Sequence, residues 1–308
     1  MRAFLPVCLM GVILAACSPG DLQAIRVQPS TATTALTAEP DKGNAALTAE
    51  QLRNMKVQLV AQDAHAAVQL KDGKYPSSQG PSSTDYAEIA LLPQPIALGD
   101  LNGDGVGDAA VLLSENYGGT GVFVSVLAVL DVDGEPVQSG AFLIDDRPAV
   151  HSLRLDNQAI VLDADIHGPN DPGCCAAFHV SETYKLTSTG LQFRSLASET
   201  PDGTRRALAI ENPPDGSEVR AGPVQIRGSF TVLPFENTLT YGVYDAAQNE
   251  LTSGPITLAG SPGTRGVFEA PVDLGSIPAG TVVRLEIADI SAADGSMLAM
   301  ASIQLMIK

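Results

Sequence analysis

Tryptophan is absent, aromatic residues make up only 5% of the chain, and 18 lysines and arginines face 35 aspartates and glutamates. The shortage of positive charge excludes nucleic acid and anionic lipid headgroups as partners, because phosphate repels an acidic surface. A formal charge of −17 makes cations the expected partners instead. Catalytic signatures are missing too. There is no Gly-x-Ser-x-Gly elbow, and the four histidines, His65, His151, His167 and His179, form no His-Glu-x-x-His pair. Gly118-Gly119-Thr120-Gly121 lacks the lysine of a phosphate-binding loop and runs into Val122–Val126, which reads as strand, so it is a turn cluster. Asp145, Asp146, Asp163 and Asp165 could pair as acid and base, but aspartates are also common turn formers at strand ends. No internal repeat is visible.

Of what is present, the N-terminus is the most informative. Arg2 precedes an apolar run from Phe4 to Ala16, broken by Pro6 and ending in Leu14-Ala15-Ala16-Cys17. The run falls short of the ~20 residues of a permanent membrane helix and fits a cleaved export signal. Leu-Ala-Ala-Cys resembles the lipobox of bacterial lipoproteins, which implies a signal peptide over residues 1–17 and lipidation, including palmitate-type acyl chains, on Cys17. Several buried acyl chains, at ~0.8 kcal/mol per methylene, make such an anchor stable. Ser18 stands where an aspartate would resemble the inner-membrane retention signal, so an outer-membrane location is expected if the cell is Gram-negative. Residues 18–46 are rich in Ala, Thr and Pro without a sustained apolar period and read as a flexible tether, roughly 30 Å in reach by random-coil scaling.

An α+β domain, mainly an antiparallel sheet with one helix, is expected over residues 47–205. Thr48 and Gln51 have capping-box spacing ahead of Leu52, Met55 and Leu59 at helical intervals. Strand signals follow at Ala66–Leu70, Ala109–Leu113, Val122–Leu130, Ala141–Ile144 and Ala159–Leu162, with turn chemistry such as Asp133-Gly134 between them. Within the domain, Asp100-Leu101-Asn102-Gly103-Asp104-Gly105-Val106-Gly107-Asp108 places side-chain oxygens at positions 1, 3, 5 and 9 and a glycine at position 6. The carbonyl of Val106 would supply position 7, and such hard oxygen ligands suit structural calcium. The loop resembles those of dockerins, thrombospondin repeats and FG-GAP repeats, with Asp108 closing the site where an EF-hand would use a glutamate at position 12. The competing reading is a solvated acidic turn.

Cys174 and Cys175 are neighbours, flanked by His167 and His179. Three readings stay open: a vicinal disulfide, a reduced pair or redox switch, and a metal site shared with the two histidines. Gly99–Gly121, Asp145-Asp146-Arg147 and His167–Cys175 together resemble a domain of bacterial envelope lipoproteins to which no activity is attached.

Residues 208–308 turn to short strand signals punctuated by Gly and Pro, the pattern of an antiparallel β-sandwich. Ile210-Glu211-Asn212-Pro213-Pro214-Asp215-Gly216-Ser217-Glu218-Val219, Gly222-Pro223-Val224, Phe235-Glu236-Asn237-Thr238-Leu239, Gly266-Val267-Phe268 and Asp294-Gly295-Ser296 resemble the bacterial spore-germination immunoglobulin-like domain. The resemblance implies an immunoglobulin-like sandwich without catalytic residues. Phe235 and Phe268 are expected in its core. The functional expectation is a non-catalytic, lipid-anchored envelope protein that binds or scaffolds a cell-wall polymer or another envelope protein. The alternative is an envelope glycan- or lipid-processing enzyme using the Asp163–His179 segment.

Overall fold

The computed structural model describes residues 46–61, 66–75, 80, 83, 86–261 and 263–308. The chain divides into two units, Met1–Glu39 and Pro40–Lys308, and every described residue lies in the second. Cys17, the export signal, nearly all of the tether and His65 fall outside the described residues. Among the described residues no helix is long and apolar enough to cross a membrane.

The expected α+β character of the first domain is overturned. Among the described residues the only α-helix is Ala49–Arg53, set against twenty-one strands. The capping box does form: Thr48 Oγ1 accepts from the Gln51 N–H at 3.2 Å, and the Thr48 N–H donates to Gln51 Oε1 at 2.8 Å. The helix then stops after one turn at Asn54, whose side chain folds back to donate to the Glu50 carbonyl. Met55, Val57 and Leu59 are buried while Lys56 and Gln58 are exposed, a period of two rather than 3.6. Lys56–Gln58 therefore forms a strand, paired with Ala67–Gln69.

Three layers build the first half. A six-stranded sheet runs in the order Lys74–Tyr75, Glu88–Leu91, Asp108–Asn116, Phe123–Val132 and Glu135–Asp146, with Ala97–Gly99 pairing to Asp108–Asn116. Its central strands are apolar on both faces because both faces are covered. Val111, Leu113 and Leu127 pack under Leu52, Met55 and Val57, whereas Leu112, Val124 and Val126 pack against Ile160, Leu162 and Tyr184 of a second sheet. Each such side chain contributes roughly 1.5–3 kcal/mol by leaving water.

That second sheet has ten strands, with the path Glu250–Thr257, Thr238–Tyr244, Val282–Ile290, Met297–Ile307, Gly190–Glu199, Phe178–Thr187, Ala159–Ile166 and Ala149–Asp156. It crosses from one half of the chain to the other, since Ser195–Ala197 pair with Ala299–Ala301. The three-stranded sheet Leu208–Asn212, Pro223–Phe230 and Gly266–Asp273 covers the C-terminal strands, completing an immunoglobulin-like sandwich around Ile226, Leu239, Leu285 and Phe268. Phe268 is a core residue as expected. Phe235 is not: it is 78% exposed on a 3-10 turn, where Glu236 and Asn237 take left-handed φ of 65° and 55°.

Candidate functional site

The Asp100–Asp108 loop joins Ala97–Gly99 to Asp108–Asn116. Buried Leu101 pins it to the core, and Gly103 and Gly105 both take φ of +84° as the chain doubles back. Asp100 accepts from the Gly103 and Gly105 N–H groups at 2.6 and 2.9 Å. Asn102 Oδ1 accepts from the Asp104 N–H at 3.0 Å, and Asp104 Oδ1 from the Val106 N–H at 2.7 Å. Asp108 is fully buried, and its two oxygens accept from the Leu101 and Asp131 N–H groups at 2.8 and 3.0 Å. It straps the loop to the neighbouring hairpin. The Gly105 amide, first among several, holds Asp100 below the usual carboxylate range, whereas burial, with the charges of Asp104 and Asp100, pushes Asp108 up. Each carboxylate oxygen has two lone pairs, so these bonds leave acceptor capacity for a cation.

A second constellation lies on the outer face of the ten-stranded sheet. Along Ala159–Ile166, Ile160, Leu162 and Ala164 point into the core, leaving Asp163 and Asp165 outside. Asp165 is paired across the sheet with His179. On the other side the register jumps, Asp163 opposing Ser152 and Ala164 opposing Val150, which makes His151 the extra residue of a β-bulge. Without the bulge His151 would face the core beside Ala164; with it the imidazole swings out to Asp165. His151 Nε2 stands 3.0 Å from Asp165 Oδ2, and His179 Nδ1 stands 2.8 Å from Asp165 Oδ1. Asp163 Oδ1 lies 3.6 Å from His179 Nε2. Burial would raise Asp165, but hydrogen bonds from His179 and His151 outweigh it and leave the carboxyl below its usual range. His179 is raised, chiefly by its hydrogen bond to Asp165 and further by Asp163, Asp165 and Glu199.

The remaining sequence candidates meet around Asp145. Its Oδ2 accepts from the His167 N–H at 2.5 Å and lies 2.8 Å from His167 Nδ1, while His167 Nε2 is buried without a hydrogen-bond partner among the described residues. Asp146 accepts from Arg147 Nη2 at 2.7 Å, and Arg147 in turn donates to the Gly173 carbonyl. Asp171 accepts from the Gly168 and Ala177 N–H groups at 2.8 and 2.9 Å, closing the loop that presents Cys174 and Cys175. These two cysteines are exposed and joined as a vicinal disulfide in this structure. Thus Asp145-Asp146-Arg147 and His167–Cys175 form one unit, but His179 belongs with Asp165, not with His167 and the cysteines. Sequence reading missed His151 as a site residue, because nothing local in Ala149–Asp156 announces the bulge.

Residues 207–296 match the family described as the immunoglobulin-like domain of bacterial spore germination. No curated protein matches the chain.

Proposed function

We propose that this chain is a non-catalytic envelope lipoprotein, lipid-anchored through Cys17, that binds a cell-wall polymer or another envelope protein through its immunoglobulin-like domain. The observation that carries this reading is Phe235. A large aromatic side chain, 78% exposed on a turn of the sandwich, is the kind of anchor that recognition surfaces use. In the same reading Asp100, Asn102, Asp104, the Val106 carbonyl and Asp108 hold structural calcium that braces the first domain. Three carboxylates on one loop with spare acceptor capacity support that assignment.

The anchor is tested by labelled palmitate, which should enter the wild type and not Cys17→Ser. Calcium is tested by melting the lipid-free chain 18–308 in chelator and in graded calcium. Saturation at ~100 times Kd raises stability by about 2.7 kcal/mol, and Asp104→Ala should abolish the rise. Asp104 is the better variant, because Asp108 also straps the loop. Binding is tested by co-sedimentation with isolated wall polymer: retention that drops in Phe235→Ala supports the reading, and retention that ignores the variant removes Phe235 from it. The enzyme reading draws on the carboxylates beside His179, yet His151 and His179 side chains are 46% and 38% exposed, which gives little exclusion of water.

A further inference from the structure

The fold gathers metal-ligating side chains away from the cysteines. Their sulfurs are bonded to each other, and His167 is committed to Asp145. What the fold assembles instead is a pair of imidazoles around one carboxylate, contributed by three adjacent strands, with one ligand atom from each residue lying within 4.8 Å of the others.

We propose that His151, His179 and Asp165 bind a divalent transition-metal ion of the zinc type, with a fourth position open to water. The donor set is the first argument. Two imidazole nitrogens and one carboxylate oxygen form the three-ligand sets used by open zinc sites, whereas calcium prefers oxygen alone. The second is aim. His151 reaches this face only because the strand spends an extra residue there, and bulges recur where a side chain must be redirected. The third is support for the ligands. His179 has carboxylates at both ring nitrogens, 2.8 Å at Nδ1 and 3.6 Å at Nε2, so giving one nitrogen to an ion leaves the other facing a carboxylate that orients the ring. The fourth is charge. Asp163 sets a further carboxylate 3.6 Å from His179 Nε2, in a protein whose net charge is already −17.

The two separations from Asp165 to the imidazoles fit with small movement. Bonds of about 2.0–2.1 Å in a tetrahedron set donor atoms about 3.3 Å apart. The hydrogen-bonded separations of 2.8 and 3.0 Å must therefore open slightly, by rotation of partly exposed side chains. Partial exposure also gives the ion a path in.

The test is calorimetric titration of the full chain, stripped of metal, with zinc at fixed pH, alongside cobalt(II) absorption to report the ligand field. One equivalent of zinc is expected. His151→Ala and Asp165→Asn should each weaken it by at least about tenfold. His167→Ala and the calcium-loop variant Asp104→Ala should bind zinc as the wild type does, which separates this site from the calcium reading. His151 is exposed, so its variant should keep the wild-type circular dichroism. Absence of stoichiometric zinc binding, or binding that persists unchanged in a folded His151→Ala protein, overturns the proposal.

Discussion

Glu182 offers a sharp physical test of the fold. It lies on Phe178–Thr187, points inward between Val180 and Tyr184, and is 5% exposed. The Tyr184 hydroxyl donates to its carboxylate, but burial dominates, and with the charge of Asp145 it lifts the Glu182 pKa from 4.5 to about 7. The folded protein therefore keeps a proton that the unfolded chain releases, so the group's contribution to stability is fully present below pH 4.5 and is lost as pH rises through 7. At 1.36 kcal/mol per pKa unit, the loss is about 3 kcal/mol on the alkaline side. Glu182→Gln keeps an oxygen to accept from Tyr184 and cannot ionise. In urea unfolding from pH 5 to 9, the variant should lie within about 1 kcal/mol of the wild type at pH 5 and exceed it by about 2–3 kcal/mol at pH 8.5. At about 2–4 °C per kcal/mol, the melting temperature rises by roughly 5–10 °C at the higher pH. Parallel stability curves for the two proteins across this range would refute the reasoning.

Two further variants probe the architecture. Arg206 donates to Asp289 at 3.0 Å, and Asp289 is 2% exposed, so Arg206→Ala strands a buried carboxylate and should cost about 3 kcal/mol at pH 7.5. Burial pushes the Asp289 pKa up against the pull of Arg206, so urea unfolding should find the deficit shrinking as pH falls and the carboxyl protonates. Gly140 lies where Glu135–Asp146 presses on the second sheet, and a Cβ there would stand 2.5 Å from the Leu191 nitrogen. Gly140→Ala should destabilise by about 1–3 kcal/mol, read from the urea midpoint at unchanged slope.

How much of this was legible depended on whether a signal was local. Asp133-Gly134 announced its hairpin, and the structure gives both residues left-handed φ, 56° and 87°, between Phe123–Val132 and Glu135–Asp146. Ala109–Leu113 read as strand because its continuous apolar run reflects burial on two faces. Asn157 and Gln158 make an equivalent left-handed turn without glycine, φ 49° and 64°, so the hairpin of Ala149–Asp156 with Ala159–Ile166 carried no such mark. His151 was hidden with it. The expected helix opens at its Thr48 cap but ends at Arg53, because Met55, Val57 and Leu59 alternate as a strand does, and only tertiary packing decides between the two periods. Phe235 was misplaced for a related reason: hydrophobicity suggests burial, but the left-handed pair that follows turns the side chain outward.

The long strand Met297–Ile307 decides how the two halves can work together. Its first part pairs with Ser195–Ala197, and its last part pairs in parallel with Ser217–Val219, so one strand belongs to both halves at once. Polar ties lock the seam: Ser198 Oγ donates to the Leu298 carbonyl at 2.6 Å, and Asp215 accepts from the Gln304 N–H at 2.8 Å while pairing with Arg194 and Lys185. A hinge between the halves would have to break these bonds. The His151 edge and the Glu250–Thr257 edge are the two ends of one eight-strand path. At about 4.8 Å per strand they lie roughly 34 Å apart, and a twist of about 20–25° per step turns one edge well away from the other. A partner that adds a strand at the Glu250–Thr257 edge therefore leaves the histidine face open. Occupation of the two edges is independent unless the whole sheet distorts.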